Sequence, residues 1–282
     1  MFTGTINVKG HLMDLSIPRV MGIVNLTPDS FFEGSRTPTE KEVKARVTML
    51  LDEGADILDV GAYSSRPGAD DVPVGEEMTR LRQGLRALRE VAPDAVVSVD
   101  TFRAEVAKMC IEEYGVGMVN DITGGDADKQ MMEIVSSTRV PYIIMHMQGM
   151  PQTMQQAPHY DDVVKEVMMQ LAEKVRRLHE HEVCDVILDP GFGFGKTVEH
   201  NYELLAKLEA FEIFELPLLV GLSRKSMVYK TLDITPADAL NGTTVLHTLA
   251  LSKGANILRV HDVKEAVEAI KLWKQVKKYK FE

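Results

Sequence analysis

The residues best suited to chemistry stand at the ends of short apolar runs along the 282-residue chain. These runs close on Asn25, Asp59, Asp100, Asn120–Asp121, His146, Asp189, Ser223–Arg224–Lys225, and Arg259 with His261. A single Asp or Asn at a strand end is commonly a turn former or a helix cap. The whole series is too long for that explanation, and stability asks for neither the arginine nor the lysine. Asp100, Asn120 and Asp189 offer acceptors and an amide that can grip a flat heterocycle carrying amino and oxo groups. Arg66, Lys225, Arg259 and His261 supply the charge and donors that suit phosphate or pyrophosphate. One surface reading both predicts group transfer from a phosphorylated heterocyclic substrate.

Such residues act together only if one architecture gathers them. Apolar, β-branched-rich runs recur at 20–26, 57–60, 95–99, 117–120, 140–145, 186–188, 218–220 and 257–260. Between them apolar residues keep helical spacing, as in Met78, Leu81, Leu85, Leu88 and Val91, or Val164, Val167, Leu171, Val175 and Leu178. Val263, Val267, Ile270, Trp273 and Val276 repeat the pattern near the end. Thr39 with Glu42 has capping-box spacing, Thr235 precedes Pro236, and Asp262 precedes Glu265, each a helix start. Strand–helix alternation of this kind predicts an α/β fold, a single (β/α)₈ TIM barrel forming one domain over 1–282. It fits better than a doubly wound sheet with a second domain. Residues 1–16 alternate apolar and polar around Gly10 and predict an N-terminal β-hairpin closing the barrel floor. All strand C-termini of a barrel open on one mouth, where active sites of this fold lie.

Composition narrows the partners. The chain is 45% hydrophobic and 26% charged, close to an ordinary globular domain. Lys plus Arg number 32 against 42 Asp plus Glu, and a net charge of −10 repels duplex nucleic acid and anionic membranes. Cys110 and Cys184 sit among apolar neighbours and are expected to be buried thiols in a reducing compartment. No run approaches the ~18 apolar residues of a membrane span, and the first residues lack a signal-peptide pattern. The cytoplasm is the expected location.

Two phosphate motifs fail on inspection. In Gly191-Phe-Gly-Phe-Gly-Lys-Thr197, Pro190 stands where a P-loop needs its first glycine, and Lys196 where a dinucleotide fingerprint needs its third. The segment reads instead as a mobile glycine hinge exposing Phe192 and Phe194 to a ligand. The histidines and cysteines have no zinc spacing.

MGIVNLTPDSF (21–31), SRPGA (65–69), VDT (99–101), NDI (120–122), MHMQG (145–149), DPGFGFGK (189–196), GLSRKS (221–226) and RVHDV (259–263) together resemble the dihydropteroate synthase family. The resemblance implies that 4-aminobenzoate is joined to a hydroxymethyl-dihydropterin diphosphate, releasing pyrophosphate and 7,8-dihydropteroate for folate synthesis. It also implies a Mg²⁺ requirement and a homodimer. By matching positions, Asp100, Asn120, Asp189 and Lys225 would hold the pterin, with Met145 and Gly221 lining its slot. Asn25, Arg66, Arg259 and His261 would surround the diphosphate, Asn25 also meeting the metal. Ser65, Pro67, Phe194, Lys225 and Ser226 would shape the aminobenzoate pocket, where sulfonamides compete. Asp100, Lys225, Arg259, His261 and Arg66 are the catalytic candidates.

The family's second loop often reads Glu-Ser-Thr-Arg-Pro-Gly, whereas this chain has Tyr63-Ser64-Ser65-Arg66-Pro67-Gly68. Ser65 keeps a hydroxyl, while Tyr63 removes a carboxylate. The long segments 27–38 and 62–73 are expected to close over the diphosphate, so that aminobenzoate binds second. The electron-rich dihydropterin can carry positive charge as its C–O bond breaks, which favours an SN1-like displacement. Two other functions compete. A pterin-binding methyltransferase would have no use for the Arg/His anion site, and a non-catalytic paralogue would not need Asn25, Arg66, Lys225 and Arg259 intact.

Overall fold

The computed structural model describes residues 2, 4–27, 38–63, 71–149, 154 and 157–279. Strands β1 (Thr5–Val8) and β2 (His11–Asp14) form an antiparallel hairpin. The chain then alternates β3 (Arg19–Asn25), α1 (Glu40–Asp52), β4 (Ile57–Gly61), α2 (Val74–Val91), β5 (Val97–Asp100) and α3 (Ala104–Tyr114). It continues through β6 (Met118–Asp121), α4 (Gln130–Thr138), β7 (Tyr142–Met145), α5 (Val163–Glu180), β8 (Val186–Asp189) and α6 (Val198–Ala206). Last come β9 (Leu219–Val220), α7 (Ser226–Leu232), α8 (Leu240–Ser252), β10 (Ile257–Val260) and α9 (Val263–Lys277).

The strands after the hairpin are parallel, in the order β8-β7-β6-β5-β4-β3-β10-β9. A parallel bridge from Leu188 to Leu218, with Leu188 N–H donating to the Pro217 carbonyl at 2.9 Å, joins the two ends. The sheet is the (β/α)₈ barrel that the alternation predicts. The β9–β10 connection holds both α7 and α8, one helix more than the simple repeat.

Strand periodicity sorts the core into two parts. Val20, Val24, Leu58, Val60, Val97, Val99, Val119, Ile144 and Leu188 face outward and pack with the helices. Met21, Ile57, Met118, Ile143, Ile187, Leu219 and Ile257 take the opposite parity and form a separate buried cluster. Ile6, Val8 and Leu15 of the hairpin segment join that inner cluster. Asn256, just before β10, donates to the Phe2 and Leu15 carbonyls at 2.9 and 3.0 Å. The hairpin therefore plugs the end where the strands begin.

Helix starts follow local chemistry. Thr39 and Glu42 make the full capping box of α1, the Thr39 N–H donating to Glu42 Oε2 at 2.7 Å; such a cap is worth about 1 kcal/mol. Asp262 does precede α9, but its carboxylate turns to Arg224 at 2.8 and 2.9 Å rather than capping the helix. Val91 and Val276, expected on buried faces, are exposed because both helices outlast the core beneath them. Cys110 is buried as expected, whereas Cys184 is exposed, since Val183 takes the inward place beside it. Among the described residues, no helix is long and apolar enough to cross a membrane.

Candidate active site

Two residues beyond each inner apolar residue, the same strands turn polar. Ile57 is followed by Asp59, Met118 by Asn120, Ile187 by Asp189 and Ile257 by Arg259. The step of two keeps the side chain inside the barrel while moving it toward the mouth. In register, Asn25 lies opposite Gly61, Gly61 opposite Asp100 and Asp100 opposite Asn120, with Met145 opposite Asp189 further round. Gly61 keeps this row open beside Asp100, because a Cβ there would stand 3.2 Å from the Asp100 Cβ. A Cβ at Gly221 would meet only Lys225 Nζ, at 3.7 Å, so Gly221 borders free space.

Arg259 is tied across this space. Its Nε donates to Asp59 Oδ2 at 2.6 Å and its Nη2 to Asp100 Oδ2 at 2.7 Å. Asn120 Nδ2 donates to the same Asp59 oxygen at 3.0 Å. Burial opposes the Arg259 charge, and Asp59 and Asp100 outweigh that opposition, holding the guanidinium protonated. Burial pushes Asp100 up to about 7 against the pull of Arg259. Burial also raises Asp189, whose Oδ1 accepts the Gly191 N–H at 2.8 Å. Acids so displaced, grouped in one concavity, mark a functional site.

Lys225 precedes α7 and donates Nζ to the Phe192 carbonyl. The ammonium also stands 4.8 Å from the centre of the Phe194 ring, a cation–π contact. Burial pulls Lys225 down to about 8, with Asp189 resisting. Ser226, the first residue of α7, is half-buried beside it. His261 Nδ1 lies 3.0 Å from Ser223 Oγ, and burial with nearby Arg259 lowers the imidazole to about 4. His261 is thus a neutral hydrogen-bonding group rather than a source of positive charge, because burial disfavours its charged form and Arg259 adds repulsion.

Not every strand-end residue faces the mouth. Asp121 has outward parity and accepts from Thr123 N–H at 2.7 Å, Gly125 N–H at 2.9 Å and Tyr142 OH at 2.6 Å, a local support. Arg224 is spent on Asp262. Phe192 is fully buried rather than offered to a ligand, and only Phe194 of the pair is partly open. The segment is no free hinge: Tyr160 OH donates to the Gly195 carbonyl at 2.8 Å and Asn201 accepts the Gly193 N–H at 2.7 Å.

Ser65, Arg66 and Pro67 lie outside the described residues, as do 28–37 and 64–70 of the two long loops. The described ends of the second loop, which departs from the family pattern at Tyr63, are tied together. Tyr63 OH donates to Asp71 Oδ1 at 3.1 Å, and Arg103 lies 5.3 Å over the Tyr63 ring and 3.4 Å from Asp71. Arg103 in turn donates to buried Glu77 at 2.5 Å, which also accepts from Thr101 at 2.7 Å, next to Asp100. Sequence analysis placed Asp59 among the strand-end residues but gave it no ligand or partner, although its inward parity with Ile57 is a usable signal. It named Ser223 only as a strand-end residue and Lys196 only as a motif mismatch, and it missed Glu77, whose partners are distant in the chain.

The match to the family described as pterin binding enzyme spans residues 21–261. The dihydropteroate synthase of Escherichia coli (strain K12) is 42% identical over 266 residues, covering 94% of this chain and 93% of that protein. Dihydropteroate synthase from Yersinia pestis, solved with a sulfonamide drug complex, superposes with a TM-score of 0.91 at 38% identity, over 98% of this chain and 100% of that one. The Xanthomonas albilineans enzyme solved with 4-aminobenzoic acid gives a TM-score of 0.89 at 38% identity, over 98% of each chain. With acceptors, a guanidinium and an ammonium around one barrel mouth, the chain belongs to the pterin-binding enzymes, among the dihydropteroate synthases.

Proposed function

We propose that this chain condenses 4-aminobenzoate with (7,8-dihydropterin-6-yl)methyl diphosphate, forming 7,8-dihydropteroate and pyrophosphate in folate biosynthesis. The observation that carries the reading is the inward row of Asp100, Asn120 and Asp189 beside Arg259 and Lys225. Its carboxylates and amide match the amino and oxo edge of a pterin, and its cations match a diphosphate. Met145 and Gly221 border the ring slot, with Met145 buried and Gly221 leaving space.

The displacement is SN1-like. The methylene C–O bond breaks first, its electron pair leaving with the diphosphate while the dihydropterin takes up positive charge. Asp100 stabilises that cation, and Arg259, His261 and Arg66 stabilise the leaving oxygen. The aminobenzoate nitrogen then bonds to the methylene carbon and releases a proton. A neutral arylamine already has its lone pair, so no strong base is required. Phe194, Lys225 and Ser226, with Ser65 and Pro67, form the aminobenzoate side, where a sulfonamide would compete.

Magnesium held mainly by substrate phosphates needs only one or two protein oxygens. The carboxamide oxygen of Asn25, half-buried at the end of β3 in the same row, fits that demand. Mg²⁺ bound there would neutralise charge on the leaving diphosphate. Val245 and Leu249 of α8 and Leu272 and Val276 of α9 are exposed apolar residues on neighbouring helices. They support a homodimer, which sedimentation would register as twice the chain mass. A cytoplasmic setting accords with two free cysteines.

The test is pyrophosphate release from the pterin diphosphate, with and without 4-aminobenzoate and magnesium. Release that depends on both additions is expected. Absence of release with all components present overturns the reading.

A further inference from the structure

The glycine segment after β8 holds a buried cation that the reaction above does not use. Lys196 is 3% exposed, and its Nζ is surrounded by three acceptors. These are the Gly191 carbonyl at 2.9 Å, the Phe194 carbonyl at 3.1 Å and His146 Nδ1 at 2.9 Å. An ammonium has three N–H donors, so every one is matched. Burial lowers Lys196 to about 7, and when it is protonated His146 offers its Nδ1 lone pair to the third donor and the imidazole is neutral. Burial with Lys196 nearby keeps His146 unprotonated, down to about 2.

The acceptors are not scattered. Gly191 and Phe194 are the two ends of one turn, since Phe194 N–H also donates to the Gly191 carbonyl at 3.1 Å. That turn presents two things to Lys225: the Phe192 carbonyl and the Phe194 ring. Its backbone depends on glycine, with φ of +72° at Gly191 and +82° at Gly193. A Cβ at Gly191 would stand 1.9 Å from the His146 carbonyl, so the turn is pressed directly on the end of β7. Glycines of this kind leave the backbone many alternatives, and something must select one. Lys196 joins both ends of the turn to His146 and so to the barrel wall.

We infer that Lys196 is a positioning residue whose ammonium locks the 191–194 turn, setting Phe194 and Lys225 in the geometry that receives the second substrate. The inference deepens the function proposed above and rests on it. The pterin contacts at Asp100 and Asn120 and the diphosphate contact at Arg259 come from other strands and do not pass through this turn, and of the pterin set only Asp189 and Lys225 adjoin it. Loss of the lock therefore falls on aminobenzoate more than on the pterin. Lys196 touches neither substrate in this assignment.

The experiment compares wild type, Lys196→Met and Lys196→Arg by steady-state pyrophosphate release, with KM measured separately for the pterin diphosphate and for 4-aminobenzoate. Thermal unfolding runs in parallel. Lys196→Met removes the donors at similar length and is expected to raise the aminobenzoate KM tenfold to hundredfold, about the effect of an ångström-scale misplacement. The pterin diphosphate KM rises less, because only Asp189 and Lys225 among its contacts adjoin the turn. Lys196→Arg keeps charge and donors and recovers part of the loss. Equal rises in both KM values, or an unchanged aminobenzoate KM in a folded variant, overturn the inference and mark a merely structural lysine. If Lys196→Met does not fold, the ratio of the two KM changes in Lys196→Arg decides in the same way. Wild type without pyrophosphate release instead removes the proposed function, so the two failures are separable.

Discussion

The two ends of the barrel lumen are built from the same strands with the same inward parity, yet their chemistry is opposite. Near the strand starts, Ile57, Met118, Ile143, Ile187, Leu219 and Ile257 pack against Ile6, Val8 and Leu15 in a dry plug. One inward position later the lumen carries Asp59, Asn120, Asp189 and Arg259. A buried ion pair contributes little net stability, because desolvation offsets most of the attraction. Burial of each apolar side chain at the floor contributes about 1.5–3 kcal/mol. The difference teaches that the floor holds the fold, and that the mouth keeps costly groups whose use is chemical.

Substitutions at the two ends should therefore dissociate stability from turnover. Arg259→Ala should lower turnover by about 10² to 10³, the effect of removing one preorganised electrostatic contact. Pyrophosphate release by the folded fraction measures it, and a loss below tenfold would erase the contrast. At the floor, Ile187→Ala should cost about 2–5 kcal/mol in denaturant unfolding. Its kcat should stay at the wild-type level wherever the protein is folded.

The pH profile sharpens the contrast, since groups at the mouth are shifted toward neutrality while the floor is apolar. Asp100 must be a carboxylate to accept pterin N–H groups, and Lys225 must keep its proton. With these groups near 7 and 8 in the free site, kcat/KM for the pterin diphosphate should rise through about 7 and fall above about 8. Asp100→Asn should abolish the acid limb in whatever activity remains. For stability the sign is reversed. A raised Asp100 favours the folded state fully below the ordinary carboxylate pKa of 3.8, and that contribution is lost as pH rises through about 7. The smallest effect belongs to the rim. Tyr63→Phe removes one hydrogen bond to Asp71 and should cost about 0.5 kcal/mol in thermal unfolding. A cost several times larger would mean that the rim, like the floor, carries the fold.

Much of this arrangement is legible in the residue order. The 257–260 run coincides with β10, and Asn25, Asp100, Asn120 and Asp189 were all readable as strand ends. Parity would have separated Asn120 from Asp121, since adjacent strand residues face opposite sides, yet counting strand ends merges them. Phe192 and Phe194 have the same type and the same glycine neighbours, but one enters the core and the other stands under Lys225. No local rule distinguishes them, because the core that Phe192 joins and the lysine that Phe194 faces are both brought there from elsewhere in the chain.

Strand and helix period, turn residues and the polar strand ends are local properties, so the sequence alone determined the barrel and the strand ends from which its mouth is drawn. Which charges pair was settled only by tertiary structure. Arg259 and Asp59 are 200 residues apart, and closing the sheet is what sets them 2.6 Å from each other. The same closure left His261 neutral and Asp100 near 7, because a group's protonation depends on the burial and charges that neighbouring strands bring to it.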